Sequence, residues 1–129
     1  METLTRLFRI ATLDDRALLD RGLEAEFRER SLKPDGFVHL SFAEQIRGTL
    51  ETHYVSAGEV VLLEIDPERT SDALRLEPSR GGALFPHLYR PLAPSDIVRE
   101  WRVTKRGDTF ELPEIASGAE SDRPQGRRL

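Results

Sequence analysis

One segment limits the fold more than any other, a nearly continuous apolar run at residues 60–65. It reads Val-Val-Leu-Leu-Glu-Ile, and Asp66 and Pro67 end it. Because alternate side chains of a strand point to opposite faces, an unbroken apolar run predicts a strand that is covered on both faces. The chain therefore has to fold around a β-sheet with this strand near its centre.

Alternating apolar and polar residues predict further strands on both sides of that run. They fall at residues 7–10, 37–40, 74–77 and 97–103, and a hairpin joins the last of them to residues 109–112. Residues 84–89 are apolar but contain Pro86, which lacks an amide hydrogen and predicts an edge strand or an irregular segment.

Two helices are predicted early in the chain. The first begins after the capping residue Thr12 and ends at Gly22, a typical glycine terminator. The second begins with a capping box at residues 41–44, and residues 23–33 are predicted to form a loop with at most one helical turn. Helices early and strands late indicate an α+β fold rather than a doubly wound sheet.

Composition excludes several classes of protein. A chain of 129 residues is one domain's worth of sequence, predicted here as residues 1–112 followed by a disordered tail at 113–129. The absence of cysteine excludes disulfides, thiolate metal sites and cysteine nucleophiles. No stretch is apolar enough to span a membrane and no signal peptide is evident, so a cytoplasmic location is expected. With 19 basic and 23 acidic residues the net charge is −4, which disfavours nucleic acid as a partner.

Three histidines are the first candidates for chemistry. His39, His53 and His87 have no local metal-binding spacing, so no metal site is expected, and His53 is interpreted as a surface or core-edge residue. His39 lies where a predicted strand runs into the helix-capping Ser41, and such junctions often bind anions through free backbone amides. The alternative is that Ser41 only caps the helix and His39 bonds to neighbouring backbone.

The segment at residues 77–89 holds the densest set of reactive side chains. It contains Glu77, Arg80, His87 and Tyr89, together with two adjacent glycines that permit a ligand to approach the backbone. Arg80 is suited to bind phosphate or carboxylate. The alternative interpretation is a long loop with ordinary polar residues.

At these two segments the sequence resembles a known family. Residues 35–41, Asp-Gly-Phe-Val-His-Leu-Ser, resemble the D-G-F-I-H-L-S motif of domain-of-unknown-function family 952. Residues 74–92 resemble the second motif of that family, and residues 8–12 resemble its first strand. The resemblance covers about residues 6–104, and Arg90 stands where the family usually has glycine.

The resemblance implies a fold like that of ADP-ribosyltransferases, with a split, mostly antiparallel β core and two main helices flanking an NAD⁺ cleft. It also implies a nucleotide ligand, with NAD⁺ as the expected cofactor. His39 and His87 would contact the ligand, and Glu77 would stabilise an oxocarbenium-like centre. Glu100 is the other candidate for that catalytic glutamate.

The same resemblance assigns the binding residues. Arg9 and Arg80 would hold phosphate, and Tyr89 would stack on the ligand or hydrogen-bond to it. Thr12 and Ser41 complete the expected cofactor site. Related transferases carry H-G-T or H-G-S on the first strand, whereas residues 9–12 here read Arg-Ile-Ala-Thr.

Three functions stay open at this stage. The first is an enzyme that binds NAD⁺ or a related nucleotide and transfers ADP-ribose or cleaves a glycosidic bond. The second is a non-catalytic module that binds a small anionic metabolite. The third is an enzyme like RNA 2′-phosphotransferase, which the net charge of −4 disfavours.

Overall fold

The computed structural model describes residues 6–114 and is an α+β fold, as predicted. Four α-helices are present in this range, where two main helices were expected: α1 (Leu13–Asp20), α2 (Glu24–Ser31), α3 (Ile46–His53) and α4 (Pro67–Thr70). The eight strands are β1 (Leu7–Ala11), β2 (Val38–His39), β3 (Ser41–Phe42), β4 (Glu59–Ile65), β5 (Leu74–Pro78), β6 (Leu84–Leu88), β7 (Ile97–Arg106) and β8 (Thr109–Phe110). Most of the tail predicted at 113–129 lies outside the described residues.

The strands form two sheets in which every pairing is antiparallel. The larger sheet has the order β3-β1-β4-β7-β8, and the smaller has the order β2-β6-β5. β4 lies at the centre of the larger sheet, and residues 60–65 are all buried, which confirms the prediction from the apolar run. Within the described part of the chain, no helix combines the length and apolar character that membrane crossing requires.

The ends of α1 follow the sequence signals. The Thr12 hydroxyl accepts a hydrogen bond from the Asp15 amide at 3.0 Å, as expected of a capping residue. Gly22 has a φ of 74°, and the Leu23 amide donates to the Leu18 carbonyl at 2.8 Å. This pattern is a Schellman motif, which requires a left-handed residue that glycine supplies without steric cost.

α2 corrects the prediction of a loop at residues 23–33. Its sequence has almost no apolar periodicity, but Phe27 and Ser31 lie one turn apart and are both buried. Arg28 and Glu24 form an ion pair on its exposed side. Packing of one aromatic ring against the core therefore maintains a helix that the sequence pattern alone does not indicate.

The predicted capping box at residues 41–44 is also wrong. Ser41 lies in β3, paired with Phe8 of β1, and a 3-10 turn precedes α3. The side chain of Gln45 caps instead, because its Oε1 accepts a hydrogen bond from the Phe42 amide at 3.0 Å. Ile46 and Leu50, one turn apart on α3, are both buried in the core.

Pro86 was expected to confine its segment to an edge strand or an irregular segment, yet β6 is the central strand of the smaller sheet. The Pro86 carbonyl accepts a hydrogen bond from the Leu40 amide at 3.0 Å, so this residue presents its backbone polar groups to the β2 side. β2 ends at His39. The backbone nitrogen of Pro86, which has no hydrogen to donate, therefore faces the end of a two-residue strand. The series of hydrogen bonds between β2 and β6 ends there and is not interrupted in its middle.

One short segment connects the two sheets. β2 belongs to the smaller sheet and β3 to the larger, with only the buried Leu40 between them. His39 and Ser41 consequently lie on either side of the point where the chain crosses between sheets. The candidate site is built around this crossing.

Candidate functional site

One face of the smaller sheet carries most of the reactive side chains. In the strand register His39 is opposite His87, which is opposite Arg75, and Glu77 is opposite Phe85. Because residues two apart in a strand share a face, Phe37 and Tyr89 belong to the same side. The other face is apolar, with Val38, Leu40 and Leu88 in the core.

A cleft of about 380 Å³ lies where this face meets the larger sheet and α3. Its size falls within the range of small-molecule sites, about 300–1,000 Å³. Backbone and side chains of β1, the crossing segment, α3 and the turn before β6 line it. The lining includes Arg9, Lys33, Asp35, His39, Ser41, Thr49, Tyr54, Arg80 and Phe85.

Arg9 extends from β1 into the cleft. Its neighbours on the same face of the strand, Leu7 and Ala11, are buried, and its Nη1 donates to the His39 carbonyl at 3.2 Å. Burial lowers the pKa of Arg9, although nearby Tyr54 and Asp15 oppose that effect. Arginine keeps its charge at neutral pH, so β1 holds a cation in a poorly solvated place.

Arg80 enters the cleft from the opposite side and lies along α3. Its Nη1 donates to the Thr49 hydroxyl at 3.1 Å, and its guanidinium stands 4.8 Å from the centre of the Phe85 ring. The guanidinium passes directly over Gly48, where an added Cβ would be only 2.7 Å from Nη2. A glycine on α3 therefore makes room for the arginine.

Positive charge is concentrated in the cleft although the whole chain is acidic. Among residues 6–114, no carboxylate forms an ion pair with Arg9, Lys33 or Arg80. Asp35 is the one acidic residue in the lining, and it is engaged by His39. Cations without a carboxylate partner form a favourable site for an anion.

His39 is held at the mouth of the cleft by a carboxylate. Its Nε2–H donates to Asp35 Oδ2 at 2.6 Å, which leaves Nδ1 as the other functional nitrogen. The side chain is 42% exposed, so solvent reaches the ring. A histidine oriented by a carboxylate in this way is a common arrangement for proton transfer.

A second carboxylate–histidine pair lies next to the first on the same sheet face. His87 Nδ1–H donates to Glu77 Oε1 at 2.7 Å, and the Tyr89 hydroxyl donates to the same oxygen at 2.6 Å. Hydrogen bonds from Tyr89 and His87 hold the pKa of Glu77 below its usual value, so the carboxylate is ionised. Its proximity in turn raises the pKa of Tyr89.

Phe37 joins the two pairs into one cluster. Its ring centre is 4.2 Å from that of His87, on which it stacks, and 4.7 Å from that of His39. The two imidazoles are 5.1 Å apart, ring centre to ring centre, and nearly perpendicular. Sequence reasoning named both histidines, and the fold brings them side by side.

The other predicted residues divide between the cleft and its surroundings. Arg9, His39, Ser41 and Arg80 line the cleft. Glu77, His87 and Tyr89 are not in the lining but adjoin it through His39.

Two candidates lie elsewhere. Thr12 caps α1 and is outside the cleft lining. Glu100 accepts hydrogen bonds from Arg16 at 2.7 and 2.8 Å and lines a different groove, beside α1.

Several cleft residues carried no functional signal in the sequence. Gly48 and Thr49 sit in the middle of an amphipathic helix pattern, which marks only its apolar positions. Asp35 begins the segment that resembles the family motif, and it precedes His39 by four residues, but neither feature predicts a hydrogen bond between them. Phe37 begins the strand predicted at residues 37–40, and it shares a face with His39 because it precedes it by two residues.

Comparison with known proteins identifies the family. The family model described as "Protein of unknown function (DUF952)" matches residues 12–100, and the chain belongs to this family. The resemblance drawn from the two motifs is thereby confirmed.

Three solved structures of one bacterial protein are similar to this chain. A crystal structure of protein CC0527 from Caulobacter crescentus is 32% identical, with a TM-score of 0.73, covering 88% of this chain and 99% of that one. A crystal structure of a double mutant of that protein has a TM-score of 0.72, with the same identity and coverage. A solution NMR structure of CC0527 is 30% identical with a TM-score of 0.64, covering 90% of this chain and 97% of that one. A search of curated proteins found no match.

Proposed function

We propose that the cleft binds a small phosphorylated ligand, with NAD⁺ or a related nucleotide as the leading candidate. One observation carries the proposal: Arg9 and Arg80 reach the same cleft from opposite sides, and neither pairs with a carboxylate in residues 6–114. A cleft lined by two guanidinium groups that have no carboxylate partner favours an anion as its ligand. Phosphate matches the geometry of the guanidinium fork.

The surroundings of the arginines support a nucleotide rather than a bare ion. The hydroxyl of Ser41 lies in the lining, and Tyr54 and Phe85 add aromatic surface to it. A volume of about 380 Å³ suits a mononucleotide or one half of a dinucleotide. The two antiparallel sheets around a cleft also fit the expected likeness to ADP-ribosyltransferases, which motivates NAD⁺ as a ligand.

ADP-ribosyl transfer or glycosidic cleavage would need a carboxylate close to the ribose. Glu77 is ionised and adjoins the cleft, which favours it over Glu100 for that role. Glu77 is nevertheless held by His87 and Tyr89. This engagement favours the alternative of a binding module without transferase activity.

Isothermal titration with NAD⁺, ADP-ribose, AMP and inorganic phosphate tests the proposal. We expect at least one nucleotide to bind more tightly than phosphate. Arg9→Met or Arg80→Gln should weaken that binding by about 10–100-fold, since a hydrogen bond to a charged group contributes about 1.5–3 kcal/mol.

Arg102→Gln is the matched control, because Arg102 pairs with Glu59 outside the cleft. The proposal is wrong if no phosphorylated compound binds, or if both cleft variants bind as well as wild type. Analysis of products after incubation with NAD⁺ separates a transferase or glycohydrolase from a binding module.

A further inference from the structure

The outer edge of the smaller sheet is a feature that the binding proposal does not use. β5 is the last strand of that sheet, and within residues 6–114 no strand pairs with its outer side. An open strand edge is a template on which another chain can pair. Two large apolar side chains are exposed at this end of the sheet, Leu76 of β5 at 54% and Leu84 of β6 at 50%.

The strand register shows which backbone groups of β5 point outwards. Pro86 of β6 accepts a hydrogen bond from the Leu40 amide, so its backbone faces away from β5. Leu76 is the register partner of Pro86, and opposite residues of an antiparallel pair either both face each other or both face away. The N–H and C=O groups of Leu76, and of Leu74 two residues before it, are therefore directed at the open edge.

The side chains of β5 separate by face. Leu74, Leu76 and Pro78 share the apolar face of the smaller sheet, and Arg75 and Glu77 share the face that carries the two histidines. A strand that pairs at this edge would meet an apolar row on one side and one charge of each sign on the other.

Both charges keep unused capacity for a partner. Arg75 forms no ion pair with a carboxylate of residues 6–114, and its guanidinium lies 4.8 Å from the centre of the Tyr89 ring. Glu77 receives the hydrogen bonds of His87 and Tyr89 on the same oxygen, Oε1. Its Oε2 accepts no hydrogen bond from the described part of the chain.

We propose that β5 pairs with β5 of a second copy of this chain, antiparallel and about a twofold axis at Leu76. The two smaller sheets then form one continuous sheet across a homodimer. A twofold axis brings the same patch of both copies together, so the patch has to be complementary to itself. The inference does not depend on the proposed ligand.

Charge selects Leu76 as the centre of the pairing. In that register Arg75 lies opposite Glu77 of the second copy, at a position without backbone hydrogen bonds, where opposite side chains come closest. A pairing centred on Arg75 or on Glu77 would instead place two like charges directly opposite each other. Arg75 of the second copy thus meets the carboxylate that holds His87, on the side of its unused Oε2.

The backbone and the apolar face agree with the same centre. The two Leu76 residues form a hydrogen-bonded pair and cover each other's exposed side chains. The Leu74 amide donates to the Pro78 carbonyl of the second copy. Since proline has no amide hydrogen to return, the pairing ends there.

Sedimentation equilibrium of the full chain, from micromolar to millimolar concentration, is the first test. We expect the mean mass to rise toward that of a dimer with concentration, because a pairing of five-residue strands is small and dissociates on dilution. Leu76→Lys places two cations at the axis, and Arg75→Glu places a carboxylate opposite Glu77, so each should weaken association at least about tenfold. Val98→Lys is the matched control, since Val98 is 50% exposed on the larger sheet.

Disulfide cross-linking tests the register, because the chain contains no cysteine of its own. The Cα atoms of a hydrogen-bonded antiparallel pair are about 5.5 Å apart, which is within the range of a disulfide. Leu76→Cys should therefore give a covalent dimer under mild oxidation. Leu84→Cys, similarly exposed on the same face but one strand further from the axis, should stay monomeric.

The outcomes separate this inference from the proposed function. A wild-type chain that remains monomeric at millimolar concentration overturns the inference, and so does a dimer that neither Leu76→Lys nor Arg75→Glu weakens. Cross-linking of Leu84→Cys as fast as that of Leu76→Cys contradicts the register. The Kd for AMP should be the same in Leu76→Lys and wild type, because Leu76 lies outside the cleft lining.

Discussion

Replacing Gly48 by alanine should weaken ligand binding without destabilising the protein. The added Cβ would lie 2.7 Å from Nη2 of Arg80, 3.4 Å from its Cζ and 3.8 Å from its Nε. The first distance is too short for a carbon–nitrogen contact, so the guanidinium has to move away from α3. The movement stretches the 3.1 Å hydrogen bond from Arg80 to the Thr49 hydroxyl and takes the charge from its place in the cleft.

The substitution should affect binding but hardly affect stability. Alanine is favoured over glycine in a helix by about 0.5–1 kcal/mol, and the lost hydrogen bond costs about 0.5–1.5 kcal/mol, so the free energy of unfolding should change little. Binding of a phosphorylated ligand loses part of a charge-assisted contact. We expect a Kd for AMP raised about tenfold, which corresponds to about 1.4 kcal/mol.

A double-mutant cycle shows whether Gly48 acts through Arg80. Titration of AMP into Gly48→Ala, Arg80→Gln and the double variant should give strongly non-additive losses, because the alanine has nothing left to displace once the guanidinium is gone. Gly58→Ala is a matched control, since a Cβ there meets no atom within 4 Å. Unchanged affinity in a folded Gly48→Ala variant would refute the role given to Arg80.

Four further predictions concern stability. Arg9→Met should keep or raise the free energy of unfolding in urea, because it removes a cation whose pKa is lowered by burial, and yet abolish most AMP binding. Arg90→Met should cost about 2–3 kcal/mol in the same assay, since it leaves the buried Asp96 carboxylate without its partner. Burial opposes ionisation of Asp96, but hydrogen bonds from Arg90 and the Ala93 amide outweigh it and lower its pKa. Asp96 should therefore contribute its full stabilisation at a pH above the usual pKa of a carboxyl group. That contribution should fall as the pH drops through the lowered pKa of Asp96 in the folded protein. Melting curves recorded from neutral to strongly acidic pH measure this loss. Leu63→Ala, at a fully buried position of β4, should cost about 2–5 kcal/mol.

The parts of the fold that were predicted correctly depend on strong local patterns. The apolar run at 60–65 could only be a central strand, and the Thr12 cap and Gly22 terminator set the ends of α1. Each of these signals acts between residues that are close in the sequence, so the local sequence is enough to predict the strand or the helix end.

The errors have tertiary causes. α2 depends on the burial of Phe27, and its sequence has no apolar periodicity that would predict a helix. Pro86 occupies a central strand because β2 is too short to require its amide. Ser41 was assigned as a cap because its sequence context is that of a capping box, whereas pairing with β1 takes it into a strand.

The candidate site was predicted in its residue types but not in its arrangement. His39, His87, Arg9 and Arg80 were all named from their sequence context. Their convergence depends on the crossing between β2 and β3 and on the antiparallel register of His39 with His87, which are long-range features.

The central claim is that one cleft binds phosphate between Arg9 and Arg80, and an NMR titration tests it most directly. Adding AMP to nitrogen-15-labelled protein should shift the amide signals of Arg9, Ser41, Thr49 and Arg80, and leave that of Glu100 in the groove beside α1 unchanged. Shifts confined to the groove of Glu100, or no shifts at millimolar AMP, would contradict the account.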